Sequence, residues 1–94
     1  MIDYYELLKN RNAIDLFSSV EYQLAIRSPD AKENHRRDQL RMELNSHISV
    51  IEMYHFPEYT LEQYCLSSSR VRKSLSLIVQ IAVEEFKVNL GISY

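Results

Sequence analysis

The sequence predicts an all-α fold: a small helical bundle of four to five helices in a single domain spanning residues 1–94, with a long, largely buried C-terminal helix. Three observations carry this expectation. First, the stretch from Ser69 to Leu90 is apolar around most of a helical circumference. At about 100° per residue, Val71, Leu75, Ile78, Ala82 and Phe86 fall on one face. Val79, Val83 and Leu90 widen that face on one side; Leu77, Ile81 and Val88 widen it on the other. Only Lys73, Ser76, Gln80, Glu84 and Lys87 form a polar strip, so other helices are expected to wrap this one. Second, the chain holds one glycine and two prolines, too few for the tight turns of an all-β fold. Third, capping residues stand in front of each apolar-periodic segment.

The elements follow in order. Asp3 with Glu6 three residues on gives a capping-box pattern for a brief first helix ending near Asn10. Asn12 caps a second helix reaching about Arg27, with the stripe Ala13, Leu16, Phe17, Val20 and Leu24. Asparagine is a poor interior residue and a good cap, which favours a break here; fusion through Asn10, Arg11 and Asn12 is the alternative. Ser28 is expected to cap a third helix with Pro29 at its first position, where the missing N–H costs nothing. That helix should run to Tyr54 or His55. Its nearly all-polar beginning, residues 29–38, is expected to project into solvent, and its second half carries the stripe Leu40, Leu44, Ile48 and Ile51. Met42 and Met53 lie on the opposite side, about 200° round, with Val50 between the two faces. Phe56-Pro57 stops the helix. Thr60 to Gln63 is a second capping-box pattern, opening a short helix through Tyr64 and Leu66. Ser68 or Ser69 caps the last helix, and Gly91 is its expected C′ residue. Short connections favour antiparallel neighbours.

Composition narrows the class. Thirteen acidic residues against eleven basic ones, with a pI of about 5.9, give no global pull toward nucleic acid or anionic membrane. Cys65 is the single cysteine, so no intrachain disulfide can form, in keeping with a reducing compartment. The opening residues lack a basic n-region and an apolar h-region. The longest apolar run, residues 77–83 broken by Gln80, is far short of the ~20 residues of a membrane span. A soluble, cytoplasmic protein with no membrane contact is expected.

Several clusters carry candidate chemistry. Residues 66–73, Leu-Ser-Ser-Ser-Arg-Val-Arg-Lys, resemble the turn and recognition-helix start of bacterial helix-turn-helix regulators, including the AraC type. The resemblance spans about 20 residues. It implies that Arg70, Arg72 and Lys73 contact phosphates or guanine edges, as possible nucleic-acid-binding residues. The sequence departs from that pattern at Leu61, where a small residue is usual, and at Cys65, where the turn takes glycine. Arg41 and His47 resemble the Arg-x(4–6)-His spacing of HEPN ribonucleases, which implies phosphodiester cleavage at a dimer cleft. Met42 stands where that family carries a polar residue. Glu52-x-x-His55 is one half of a di-iron bundle pattern whose second half is missing, so neither a metal nor any other cofactor is expected. No nucleophile–base signature and no glycine-rich phosphate loop is present, and Cys65 reads as a small buried apolar residue.

Interaction is the leading functional expectation. Seven tyrosines in 94 residues offer large amphipathic contact area. Tyr22 and Ile26 lie off the stripe of the second helix, and Met42 and Met53 off that of the third. These are the expected contact residues, with Arg36, Arg37 and Arg41 steering an acidic protein partner. The leading reading is therefore a non-enzymatic protein–protein interaction module of the regulator, inhibitor, immunity-protein or secretion-chaperone kind, bound to a protein partner or forming a homodimer. A helix-turn-helix regulator is the alternative, and a HEPN-like ribonuclease comes third.

Overall fold

Among the described residues there are five helices: α1 (Tyr4–Leu8), α2 (Ala13–Leu24), α3 (Ala31–Met53), α4 (Leu61–Cys65) and α5 (Ser69–Glu84). The computed structural model describes residues 2–54, 57–66 and 68–92. The expected stop at Phe56 and the roles of His55, Ser67 and Tyr94 lie outside the described residues. The fold is all-α, and among the described residues no helix is long and apolar enough to cross a membrane.

Local sequence sets the helix starts. Asp3, Asn12, Thr60 and Ser68 each accept a backbone N–H from the first turn of the helix they precede. Thr60 and Gln63 complete a reciprocal capping box, with both bonds formed. The break between α1 and α2 is real, and a second contact exploits it. The Ala13 N–H donates to the Tyr59 carbonyl and the Leu61 N–H to the Arg11 carbonyl, each at 2.8 Å. The Asn12 side chain also donates to the Pro57 carbonyl. Two helix starts thus satisfy their orphan donors on each other's leading segment, which clamps the α1–α2 junction to the approach to α4.

α2 and α3 run antiparallel, with Phe17 beside His47, Glu21 paired to Arg41 and Arg27 to Asp38. Leu8, Phe17, Leu16, Leu24, Leu44, Ile51 and Val20 are fully buried, and α5 adds Leu75, Ile78, Val79 and Ala82. α1 packs on α5, burying Tyr4 and Leu8.

Several boundaries correct the sequence reading. The cap of α3 is Asp30, not Ser28, and Pro29 precedes the helix rather than opening it. Ser28 is held in another role. Its hydroxyl accepts the Asp30 N–H and donates to Glu33, while its backbone exchanges two bonds with Asn34. α2 stops at Leu24, short of Arg27, whose guanidinium folds back onto the carbonyls of Leu24 and Ala25. The polar start of α3 is mostly exposed, as expected, with one exception. Arg37 is largely covered, lying 4.9 Å from the centre of the Phe86 ring.

The last helix is shorter than expected. α5 ends at Glu84 rather than Leu90, and α3 is the longest helix. Lys87 takes the left-handed conformation (φ 58°) and the Val88 N–H returns to the Ala82 carbonyl. Gly91, also at positive φ, lies beyond this terminus and is not its C′ residue. Beyond the helix, Phe86, Val88 and Leu90 are buried while Lys87, Asn89 and Gly91 are exposed. The left-handed turn at Lys87 redirects the chain so that these three apolar side chains still face the core. Gln23 and Asn89 exchange two 2.7 Å hydrogen bonds, and Arg11 donates to the Leu90 carbonyl, so the tail is tied to α2 and its leading segment. Leu77, expected at the edge of the buried face, is 56% exposed.

Candidate functional site

The C-terminal half of α3 and the length of α4 bound a groove of about 460 Å³, lined by Val50, Ile51, Tyr54, Tyr59, Gln63, Tyr64 and Leu66. Ile51 forms part of its buried floor, while Val50, Tyr54 and Leu66 are exposed, Leu66 to 78%. Exposed large apolar groups gathered in one place mark contact sites more often than scattered ones do. Met53, 67% exposed, follows on the same outer side of α3, and Met42, 71% exposed, lies three turns earlier.

One wall of the groove is held from behind. Nδ1 of His47 lies 2.6 Å from the Tyr64 hydroxyl, and Phe17 sits against both rings, at 6.1 Å from His47 and 5.9 Å from Tyr64. Burial lowers the His47 pKa, against a smaller opposing pull from Glu43. Burial likewise raises the Tyr64 hydroxyl. The pair therefore favours a neutral imidazole and an intact phenol. Cys65, buried on the inner side of α4, has its thiol pushed up by burial, which disfavours the reactive thiolate.

The arginines expected to steer a partner are matched inside the chain. Arg36 pairs with Glu85 at 2.6 Å, Arg37 with Glu33 at 3.1 Å, and Arg41 with Glu21 at 2.9 Å and Asp38 at 3.1 Å. These bonds have consequences on the acid side. A hydrogen bond from Ser28, then one from Arg37, lowers the Glu33 pKa, and a hydrogen bond from Arg27 lowers that of Asp38. Arg41 and His47, the HEPN-like pair, engage different partners: Arg41 faces α2 carboxylate and Asp38, while His47 faces Tyr64. No shared cleft unites them among the described residues.

Tyr22 and Ile26 are exposed, as are Met42 and Met53, yet none of the four lines the groove. At the start of α5, Arg70 and Lys73 are exposed with no carboxylate within ion-pair distance among the described residues, and the Arg72 guanidinium sits 4.0 Å from the centre of the Tyr5 ring. α4, which would be the first helix of a helix-turn-helix, has five residues.

Sequence reasoning singled out the tyrosines but did not place Tyr54, Tyr59 and Tyr64 together, nor join them to Val50 and Leu66. One signal was available. Between Arg41 and Arg70 the sequence contains no lysine or arginine, only Glu43, Glu52, Glu58 and Glu62 as formal charges. No family model matches this chain, and comparison with curated proteins and with solved structures finds no match either.

Proposed function

We propose that this chain is a non-enzymatic interaction module of the cytoplasm that docks a segment of another protein in the groove between α3 and α4. The observation that carries the reading is the groove itself, where three tyrosines and exposed Val50 and Leu66 gather over a buried floor. Tyrosine supplies large contact area at low entropic cost, and apolar anchors in a pocket dominate binding energy. A small regulator or inhibitor needs no more machinery than this.

Another protein suits the groove better than a second copy of the chain. A two-fold pairing sets identical patches against each other. Here that would bring the lysine- and arginine-free stretches of two chains together, with Glu43 and Glu58 exposed on both sides.

The test is affinity capture from native lysate after nuclease treatment, with the wild type beside a Val50→Glu, Leu66→Glu variant. Both substitutions fall on exposed side chains, so the fold should survive, as circular dichroism would verify. A protein held near stoichiometrically by the wild type and lost by the variant is the expected result. Equal capture by both would refute the groove as the docking site.

A second reading, nucleic-acid binding, is favoured by one observation: Arg70 and Lys73 are exposed without acidic partners. It requires wild-type binding to DNA at low salt, with a salt slope that flattens when Arg70, Arg72 and Lys73 become Gln. Absence of low-salt binding ends it.

A further inference from the structure

We infer that the segment taken by the α3–α4 groove is basic and amphipathic: a helix with an apolar face for the tyrosine-lined floor and lysine or arginine along its edges. The inference rests on the docking reading above and adds the sign of the partner's charge. It reverses the expectation of an acidic partner, and the reason is how charge is distributed on the folded chain.

Arg36, Arg37 and Arg41 do not form a free steering patch, because each meets a carboxylate of this chain. Two acids near the groove are in the opposite condition. Glu43 and Glu58 are exposed, and neither forms an ion pair among the described residues, whereas Glu62 turns its charge toward Lys9. Glu43 precedes His47 by one helical turn and Val50 by two, so it lies in line with the groove along α3. Glu58 immediately precedes Tyr59, which lines the groove. Between Arg41 and Arg70 the sequence holds no lysine or arginine.

An apolar channel with unpaired Glu43 in line along α3 and unpaired Glu58 beside Tyr59 favours a cationic amphipathic segment. Its side chains would supply the missing counter-charges at the rim while its apolar face covers Val50, Tyr54 and Leu66. Like-charge contact would exclude acidic segments of the same apolar pattern.

The probe is a short labelled peptide of leucine and lysine at helical spacing, compared with the same pattern carrying glutamate for lysine. Fluorescence anisotropy with the full chain gives the affinities. The leucine–lysine peptide should bind saturably and the leucine–glutamate peptide should not. Glu58→Lys should weaken binding about fivefold, as expected for a rim charge. Glu84→Lys changes net charge equally at the far end of α5, and should leave affinity within about twofold. Leu66→Glu should weaken binding more than about tenfold. Equal affinity for the two peptides, equal loss from Glu58→Lys and Glu84→Lys, or no binding of the leucine–lysine peptide would each overturn the inference. If any of these occurred while the Val50→Glu, Leu66→Glu variant still lost its captured protein, the basic character would fail and the docking reading would stand.

Discussion

Nδ1 of His47 and the hydroxyl of Tyr64 stand 2.6 Å apart, joining the middle of α3 to α4 behind the wall of the groove. The bond fixes a tyrosine that would otherwise rotate on a helix of one turn. It sets His47, which the sequence pattern pairs with Arg41, against Tyr64 and Phe17 instead. Phe17 from α2 closes the cluster, so three helices meet at one set of rings.

Tyr64→Phe keeps the ring and removes the hydrogen bond. The expected loss is about 1 kcal/mol, the typical net value of one such bond. For a domain of this size that is a drop of roughly 4–8 °C in Tm, read by calorimetry. An unchanged Tm would show that the bond contributes nothing in solution.

The same pair predicts a pH dependence. Burial lowers the His47 pKa in the folded chain, so the unfolded chain takes up that proton first as the pH falls. The contribution is therefore fully present above the unfolded value of about 6.5 and is lost as pH drops through the folded value. Urea midpoints should fall between about pH 7.5 and about pH 5.5, and fall less in His47→Gln. Equal slopes for both proteins would place the acid sensitivity elsewhere.

Phe17→Ala removes the ring that both His47 and Tyr64 lean on, at a fully buried position. A loss of about 3–5 kcal/mol is expected from denaturant unfolding. A loss under about 1 kcal/mol would mean the three-ring cluster collapses without cost.

Arg36 and Arg37 are neighbours with unequal roles. The Arg37 side chain is 12% exposed, stacks on Phe86 and pairs with Glu33; that of Arg36 is 54% exposed in its pair with Glu85. Arg37→Ala should cost about 1–3 kcal/mol, from a charged hydrogen bond and a covered cation–ring contact. Arg36→Ala should cost less than about 1 kcal/mol. The reverse order in urea unfolding would contradict the packing described at Phe86.

What the sequence made legible follows from the range of each interaction. Caps are local, and Asp3, Asn12, Thr60 and Ser68 were readable because each acts within three residues. The stripe Leu44 and Ile51 was readable for the same reason. The end of α5 was missed because Val79, Val83 and Leu90 fit a helical wheel, while the chain turns at Lys87, a non-glycine residue at positive φ that no pattern signals. Ser28 satisfied the cap rule, yet Asn34 and Glu33 hold it in a different turn. The groove depends on which loop returns to which helix. The clamp between Asn12 and Thr60 decides that, and no spacing rule reports it.

The most direct measurement is amide hydrogen exchange on the chain alone and in complex with its captured protein. Docking in the groove predicts added protection in residues 50–54 and 59–66, with the start of α5 unchanged. Protection confined to residues 69–77, or none in either region, would contradict it.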